Sequence, residues 1–281
     1  MSKILIAGCG DLGCRLGQLL FDKDHEVYGI RRNITKLPDS IKPIQCDLFE
    51  TKPDIPEDID YIYYIVSATN FKEEAYYKAY VLGLKNLLKA TKNQAIKRIF
   101  FISSTSVFGQ STGEWVNEES EVNETGFSSK RLLEGETLIN ESTHPSTIIR
   151  FGGIYGEGRT HLIDLILDGK AHCMEGVYSN RINTQDCIGL LEHLLNVNET
   201  QILESLYIGV DNEPTLTSEV YEWLAEQLSV NNIEHIDPPQ NSRAKRSNKR
   251  LSNKRLRETG YQFKYPTFKE GYTVLLNGAT N

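Results

Sequence analysis

Three glycines near the N-terminus, Gly8, Gly10 and Gly13, spell GxGxxG between an apolar run, Lys3–Ala7 (KILIA), and a series of leucines at helical spacing: Leu12, Leu16, Leu19 and Leu20. A short apolar run that ends in glycine reads as a buried parallel strand. In the order strand, turn, helix the glycines have separate tasks. Gly8 permits the tight turn, Gly10 lets the backbone approach a pyrophosphate, and Gly13 lets the helix pack close to the strand. The helix start, with Asp11 and Leu12, then offers N–H groups and a positive dipole end to phosphate. The segment is therefore read as a dinucleotide site.

The next segments of the chain repeat the same grammar. His25–Ile30 (HEVYGI) is a second strand, Ile41–Cys46 a weaker third containing Pro43, and Tyr61–Val66 (YIYYIV) a fourth rich in β-formers. A long helix is expected over Glu73–Lys92, a fifth strand over Ile99–Ile102, a helix over Lys130–Ile139 and a sixth strand over Thr147–Phe151. Alternating strands and helices predict an α/β, Rossmann-type, doubly wound parallel sheet. Beyond about residue 155 the alternation fades into helices near Ile163–Leu167, Cys187–Leu195 and Glu219–Leu228 with short strands such as Leu206–Ile208. The expected division is a nucleotide-binding domain over 1–155 and a smaller, partly interleaved substrate lobe over 156–281.

The second strand leads into Arg31 and Arg32. An NAD site carries Asp or Glu here to accept from the ribose hydroxyls. Two guanidinium groups fit the 2′-phosphate of NADP better, so NADP is expected over NAD. Asp47, after the third strand, is placed either to accept from the adenine amino group or to cap a turn.

Composition narrows the remaining classes. The net charge of −7 speaks against a dedicated nucleic-acid binder. One stretch, Asn241–Arg257 (NSRAKRSNKRLSNKRLR), is strongly basic but has no interleaved aromatics to stack bases. The five cysteines, Cys9, Cys14, Cys46, Cys173 and Cys187, form no CxxC pair, so neither a disulfide framework nor a metal site is expected. There is no signal-like apolar segment and no apolar run of about 18 residues, which predicts a cytoplasmic protein without a membrane span.

Further motifs carry a family resemblance. Ser103–Gly109 (SSTSVFG), Arg150–Arg159 (RFGGIYGEGR) and Asn180–Asp186 (NRINTQD) resemble, in order and spacing, the SSxxVYG, RxxxxYGPGR and RIHVDD segments of the extended short-chain dehydrogenase/reductases, the NAD(P)-dependent epimerase/dehydratase family. Gly113–Glu118 and Ser252–Leu256 make it similar to an atypical, YeeZ-like branch. The resemblance implies that Ser104 hydrogen-bonds the reacting substrate oxygen, with Thr105 and Ser106 beside the substrate. It implies that Lys130 binds the nicotinamide ribose, that Ser67, Ala68 and Thr69 line the cofactor, and that Gly152 and Ile154 lie near the nicotinamide end. It also implies a tyrosine four residues before the lysine, acting as acid or base. That position is Gly126, and the neighbouring Phe127 has no ionisable group.

This departure leaves three expectations. Another residue supplies the proton, with Tyr155 the nearest by motif and Tyr64 and Tyr80 behind it. Alternatively, Ser104 and water form a slow proton path, or the protein is a non-catalytic NADP-binding regulator. In the family the C-terminal lobe holds a small hydroxyl- or carbonyl-bearing substrate, often a nucleotide-sugar, and Arg159, Arg181, Lys249 and Arg250 are the candidates for an anionic group on it. The resemblance further implies a homodimer through the helices of 73–92 and 130–139.

Overall fold

Seven strands form one sheet in the computed structural model, which describes residues 1–124, 126–231, 233–240 and 242–278. They are β1 (Lys3–Ala7), β2 (Glu26–Arg31), β3 (Lys42–Gln45), β4 (Tyr61–Tyr64), β5 (Arg98–Ser104), β6 (Ser146–Phe151) and β7 (Leu206–Gly209), in the order β7-β6-β5-β4-β1-β2-β3. The pairs β1–β2, β1–β4, β2–β3 and β4–β5 are parallel. The chain reverses direction of growth between β1 and β4, which is the switch point of a doubly wound sheet. Buried side chains fill both faces of β1 and β4, as a sheet covered on both sides demands. Tyr63 stacks on Phe100 and Tyr64 on Phe101 across the β4–β5 pairing, at 4.8 and 5.6 Å. Pro43 is tolerated because β3 is an edge strand.

The chain divides into two compact units, and five passages of the backbone lead from one to the other. Unit 1 is Met1–Val107, Asn123–Arg150 and Ile188–Tyr207; unit 2 is Phe108–Val122, Phe151–Cys187 and Ile208–Asn281.

In unit 1 the helix α1 (Asp11–Phe21) buries Leu12, Gly13, Leu16, Gly17 and Leu20 along one stripe. A Cβ on Gly17 would lie 2.4 Å from Ile41 Cδ1, so the stripe is smooth by necessity. The helix expected over 73–92 is interrupted. It runs as α2 (Glu73–Tyr77), a π-helical turn over Lys78–Leu82, and α3 (Gly83–Thr91). A side chain from outside the helix meets it at this turn: Tyr64 Oη, from β4, donates to Ala79 O at 2.5 Å, the kind of contact that breaks the regular ladder. The helix α4 (Phe127–Asn140) is tied to the sheet by buried charge. Arg150 donates from Nε and Nη2 to the two carboxylate oxygens of Glu136 at 3.0 and 2.6 Å, and Ser103 Oγ donates to Glu136 at 2.6 Å.

Unit 2 has its own core, built on Tyr155, Ile163, Ile166, Val220, Leu224, Phe268 and Tyr272. Its helices include α5 (His161–Leu167) and α7 (Thr217–Gln227), while α6 (Thr184–Thr200) begins in this unit. Short strand pairs join distant segments, among them His172–Met174 with Glu234–Ile236, in parallel. Asp186 accepts from Lys264 N, Tyr265 N and Tyr261 Oη at 2.7 to 3.0 Å, which fastens the segment that precedes the last helix, Phe268–Gly278.

Candidate functional site

The glycine loop has the shape that its sequence promises. Gly8 sits at φ +88°, and a Cβ there would come within 2.7 Å of the backbone of Ile65 and Val66. A Cβ on Gly13 would lie 2.8 Å from Gly8 O. Gly10 is different: its added Cβ would meet nothing closer than 4.0 Å, and the residue is exposed. Two glycines thus close the turn against its own unit, and the third leaves the backbone open to an incoming group. No side chain caps the start of α1, so its first-turn N–H groups face the same opening. This open cradle at an uncapped helix end fits the pyrophosphate of a dinucleotide.

Around the loop lie two cysteines and an arginine. Arg31 Nη1 donates to Cys9 O at 3.0 Å and lies 3.7 Å from Cys14 Sγ. The two thiol sulfurs are 3.8 Å apart. The hydrogen bond from Cys9 and the Arg31 guanidinium bring the Cys14 thiol down to about 7, against the opposing effect of burial. Arg31 therefore rests on the glycine loop itself. Arg32 is exposed, lies over the Phe49 ring at 5.8 Å and approaches Asp47 at 3.9 Å. Asp47 Oδ1 accepts from Phe49 N at 3.0 Å, a turn cap, while Oδ2 faces Arg32.

Ser67 and Thr69 are exposed after β4, with Ala68 half-buried between them. Ser104 ends β5 half-buried, and its Oγ accepts from Ser106 N at 3.2 Å. Ser106 is exposed and Thr105 half-buried in the same turn. Lys130 stands exposed in the first turn of α4, where its ammonium has no hydrogen bond or salt bridge among the described residues. Gly126 caps this helix in an extended conformation, and a Cβ there would meet nothing within 4 Å. Among the described residues, a side chain could therefore start at this position without a clash at its Cβ. Of the other tyrosines weighed for the proton, Tyr64 is wholly buried and bonded to Ala79, and burial pushes Tyr80 up to about 12.

The remaining candidates belong to unit 2. Tyr155 is 5% exposed and stacked on Tyr272 at 4.4 Å. Burial, with the Asp211 carboxylate second, pushes its phenol well above the ordinary tyrosine range. Tyr155 Oη, Arg181 Nη1 and Asp211 Oδ2 are buried without a hydrogen-bond partner among the described residues. Burial raises Asp211 to about 7, although Arg181 opposes it. Arg181 also lies over the Phe268 ring. Sequence reasoning missed Asp211, because a lone Asp before a turn gives no sign of burial. Lys249 is buried and pushed down to about 8, and Arg250 is held between the Trp115 and Tyr178 rings with Nε on Gly113 O. Arg159 alone of the four cations is exposed. Asn241, where the basic stretch begins, lies outside the described residues. Gly152 is half-buried, with a prospective Cβ 2.7 Å from Val210, and Ile154 is half-buried.

The profile of the NAD dependent epimerase/dehydratase family matches residues 4–175. A protein of Methylobacillus flagellatus, provisionally assigned as an NAD-dependent epimerase/dehydratase, is 32% identical, with a TM-score of 0.83 over 100% of this chain and 99% of that one. A UDP-glucuronic acid 4-epimerase of Bacillus cereus, a tyrosine-to-phenylalanine mutant solved with a fluorinated UDP-glucuronic acid and NAD, is 19% identical with a TM-score of 0.80 over 98% of each chain. A human epimerase family protein solved with NADPH is 18% identical with a TM-score of 0.79 over 98% of this chain and 99% of that one. The last two likenesses speak to the fold alone. Among curated protein sequences nothing matches the chain. Among the described residues no helix is long and apolar enough to cross a membrane.

Proposed function

The chain belongs to the NAD-dependent epimerase/dehydratase family, and from that premise we propose that it binds NADP and acts as an oxidoreductase or epimerase/dehydratase-like protein on a small hydroxyl- or carbonyl-bearing substrate, with nucleotide-sugars the leading class. The observation that carries the reading is the open cradle at Gly10 beside Arg31. When bound, the nicotinamide supplies the two-electron chemistry. The chain's own residues hold and orient. The α1 start and the Gly10 backbone take the pyrophosphate, and Arg31 and Arg32 take the 2′-phosphate. Lys130, with its exposed ammonium, orients the ribose hydroxyls. Ser104 Oγ exchanges its weak bond to Ser106 N for a bond to the substrate oxygen. Arg159 is the exposed cation that would meet an anionic substrate group, while Arg181, Lys249 and Arg250 would have to leave buried or stacked positions to join it.

A specific observation keeps a second reading. Gly126 itself offers no acid or base, and Tyr155 is 5% exposed and stacked on Tyr272, which speaks against its taking over. This favours a non-catalytic NADP-binding regulator, or turnover limited by Ser104 and water. The reading also keeps the protein cytoplasmic, free of nucleic-acid partners, and a homodimer.

Calorimetric titration with NADP and with NAD tests the cofactor. NADP is expected to bind more tightly, and the double variant Arg31→Asp, Arg32→Ser to lose at least about tenfold in NADP affinity, the loss of one charge-assisted contact or more. Unchanged NADP affinity in that variant would remove the phosphate clamp, and binding of neither nucleotide would remove the whole reading.

A further inference from the structure

Outside the dinucleotide site, three metal-ligating side chains of unit 2 converge from three elements. Cys173 lies on the strand His172–Met174, His235 on the parallel strand Glu234–Ile236, and Glu222 on α7. Cys173 and His235 are register partners, so their side chains leave the strand pair on the same face. One sulfur, one imidazole nitrogen and one carboxylate oxygen lie within 4.8 Å of one another. Donors around a zinc ion at about 2.0–2.3 Å sit roughly 3.3–3.8 Å apart, so a small inward movement closes the set. His235 and Glu222 are surface side chains with room to make it.

The imidazole is already oriented for such a task. His235 Nδ1 lies 2.5 Å from Glu175 Oε1, and Nε2 lies 3.2 Å from Glu222 Oε1. Flanked by two carboxylates, the protonated ring donates from Nδ1 to Glu175 and from Nε2 to Glu222; a cation that displaces the Nε2 proton would find the Nε2 lone pair and the Glu222 carboxylate side by side. Metal-bound histidines have this carboxylate–imidazole arrangement, in which the outer carboxylate fixes the tautomer and strengthens the ligand. Glu222 also lines a groove of about 340 Å³ with Glu213, Glu219 and Glu226, whose four carboxylates outnumber the one cation there, Lys269.

From this convergence we infer that unit 2 carries a binding site for a zinc-class divalent transition metal, with Cys173, His235 and Glu222 as ligands, Glu175 as the outer carboxylate, and water in the fourth position. A mixed sulfur, nitrogen and oxygen donor set selects zinc or cobalt over calcium or magnesium. Binding forms the metal–sulfur and metal–nitrogen bonds and breaks the Cys173 S–H bond and, in the protonated imidazole, the His235 Nε2–H bond; these protons leave to solvent. All three ligands and the outer carboxylate belong to unit 2.

The test is titration of the full chain with Co²⁺, followed by displacement with Zn²⁺. One Co²⁺ per chain is expected, with thiolate-to-cobalt charge-transfer absorption and at least one proton released in weak buffer. Cys173→Ser is expected to abolish the charge-transfer band. Glu175→Gln is expected to weaken binding by about 10- to 100-fold while the band remains. Because Cys173 is buried and its variant risks misfolding, His235→Ala at the surface gives a second reading: a folded chain, judged by circular dichroism, with at least tenfold weaker binding. A folded wild-type chain without the band overturns the proposal. So does a folded His235→Ala chain that binds Co²⁺ as the wild type does.

Discussion

Gly8 and Gly10 stand two residues apart in one motif, and their surroundings assign them opposite kinds of work. Gly8→Ala forces a side chain into positive φ against the backbone of Ile65 and Val66. It is expected to cost about 1–3 kcal/mol in urea denaturation. Gly10→Ala meets nothing nearby, so stability in urea is expected to stay within about 0.5 kcal/mol of wild type. Its effect falls on dinucleotide affinity, read by calorimetry; an unchanged dissociation constant would contradict the role given to its backbone. Gly126→Tyr, in extended backbone and open space, is expected to fold normally and to raise turnover on any substrate found. If a folded variant gains nothing, the missing phenol is not what limits the chemistry. The glycine turn was legible because its spacing between strand and helix is a local pattern, even though the close contact that makes Gly8 necessary comes from Ile65 and Val66. The burial of Tyr155, Lys249 and Asp211 was not, since it depends on segments far away in sequence.

At the scale of elements, α4 carries both Gly126 and Lys130 and is fixed to β5 and β6 by the buried Ser103–Glu136–Arg150 network. Glu136→Gln removes the carboxylate charge that faces the buried Arg150 guanidinium. The expected loss is about 3–5 kcal/mol of stability by chemical denaturation. A loss below about 1 kcal/mol would mean that packing alone sets the helix. In the sequence, Arg150 falls within the strand expected over Thr147–Phe151, but its pairing with Glu136 was not legible, because the two meet only when α4 packs on the sheet. Most strands of the central sheet were legible as apolar runs; β3, with Pro43 at an edge, was weak, and Leu206–Ile208, expected in the C-terminal lobe, instead joins the sheet as β7, because its pairing with β6 is made across more than fifty residues of sequence. The interruption of the 73–92 helix was not legible, because the contact at that turn is a hydroxyl from β4. The basic stretch likewise gave up its secondary structure only in three dimensions, where Arg250 pairs with Trp115 and stacks on it.

For the molecule as a whole, self-association is the property that the proposal brings with it. Phe71 is exposed beside Phe127 at 4.8 Å and Tyr76 at 5.8 Å, an aromatic surface at the start of α2 and α4. Light scattering coupled to size exclusion is expected to give twice the mass of the 281-residue chain. A Phe71→Ser substitution is expected to shift the equilibrium toward monomer. A wild-type chain that runs only as monomer would end the dimer reading. The fold class was legible because it is written in the order of its elements. The partition into two units was harder to see, since each is assembled from three separate stretches. That last feature governs how the protein must be made. The outer strand of the unit 1 sheet, β7, comes from Leu206–Gly209, after unit 2's first two stretches. On a ribosome, therefore, the nucleotide-binding half cannot complete its sheet until roughly three-quarters of the chain has emerged. No stop codon placed between the halves, and no cut by a protease, can release either one whole.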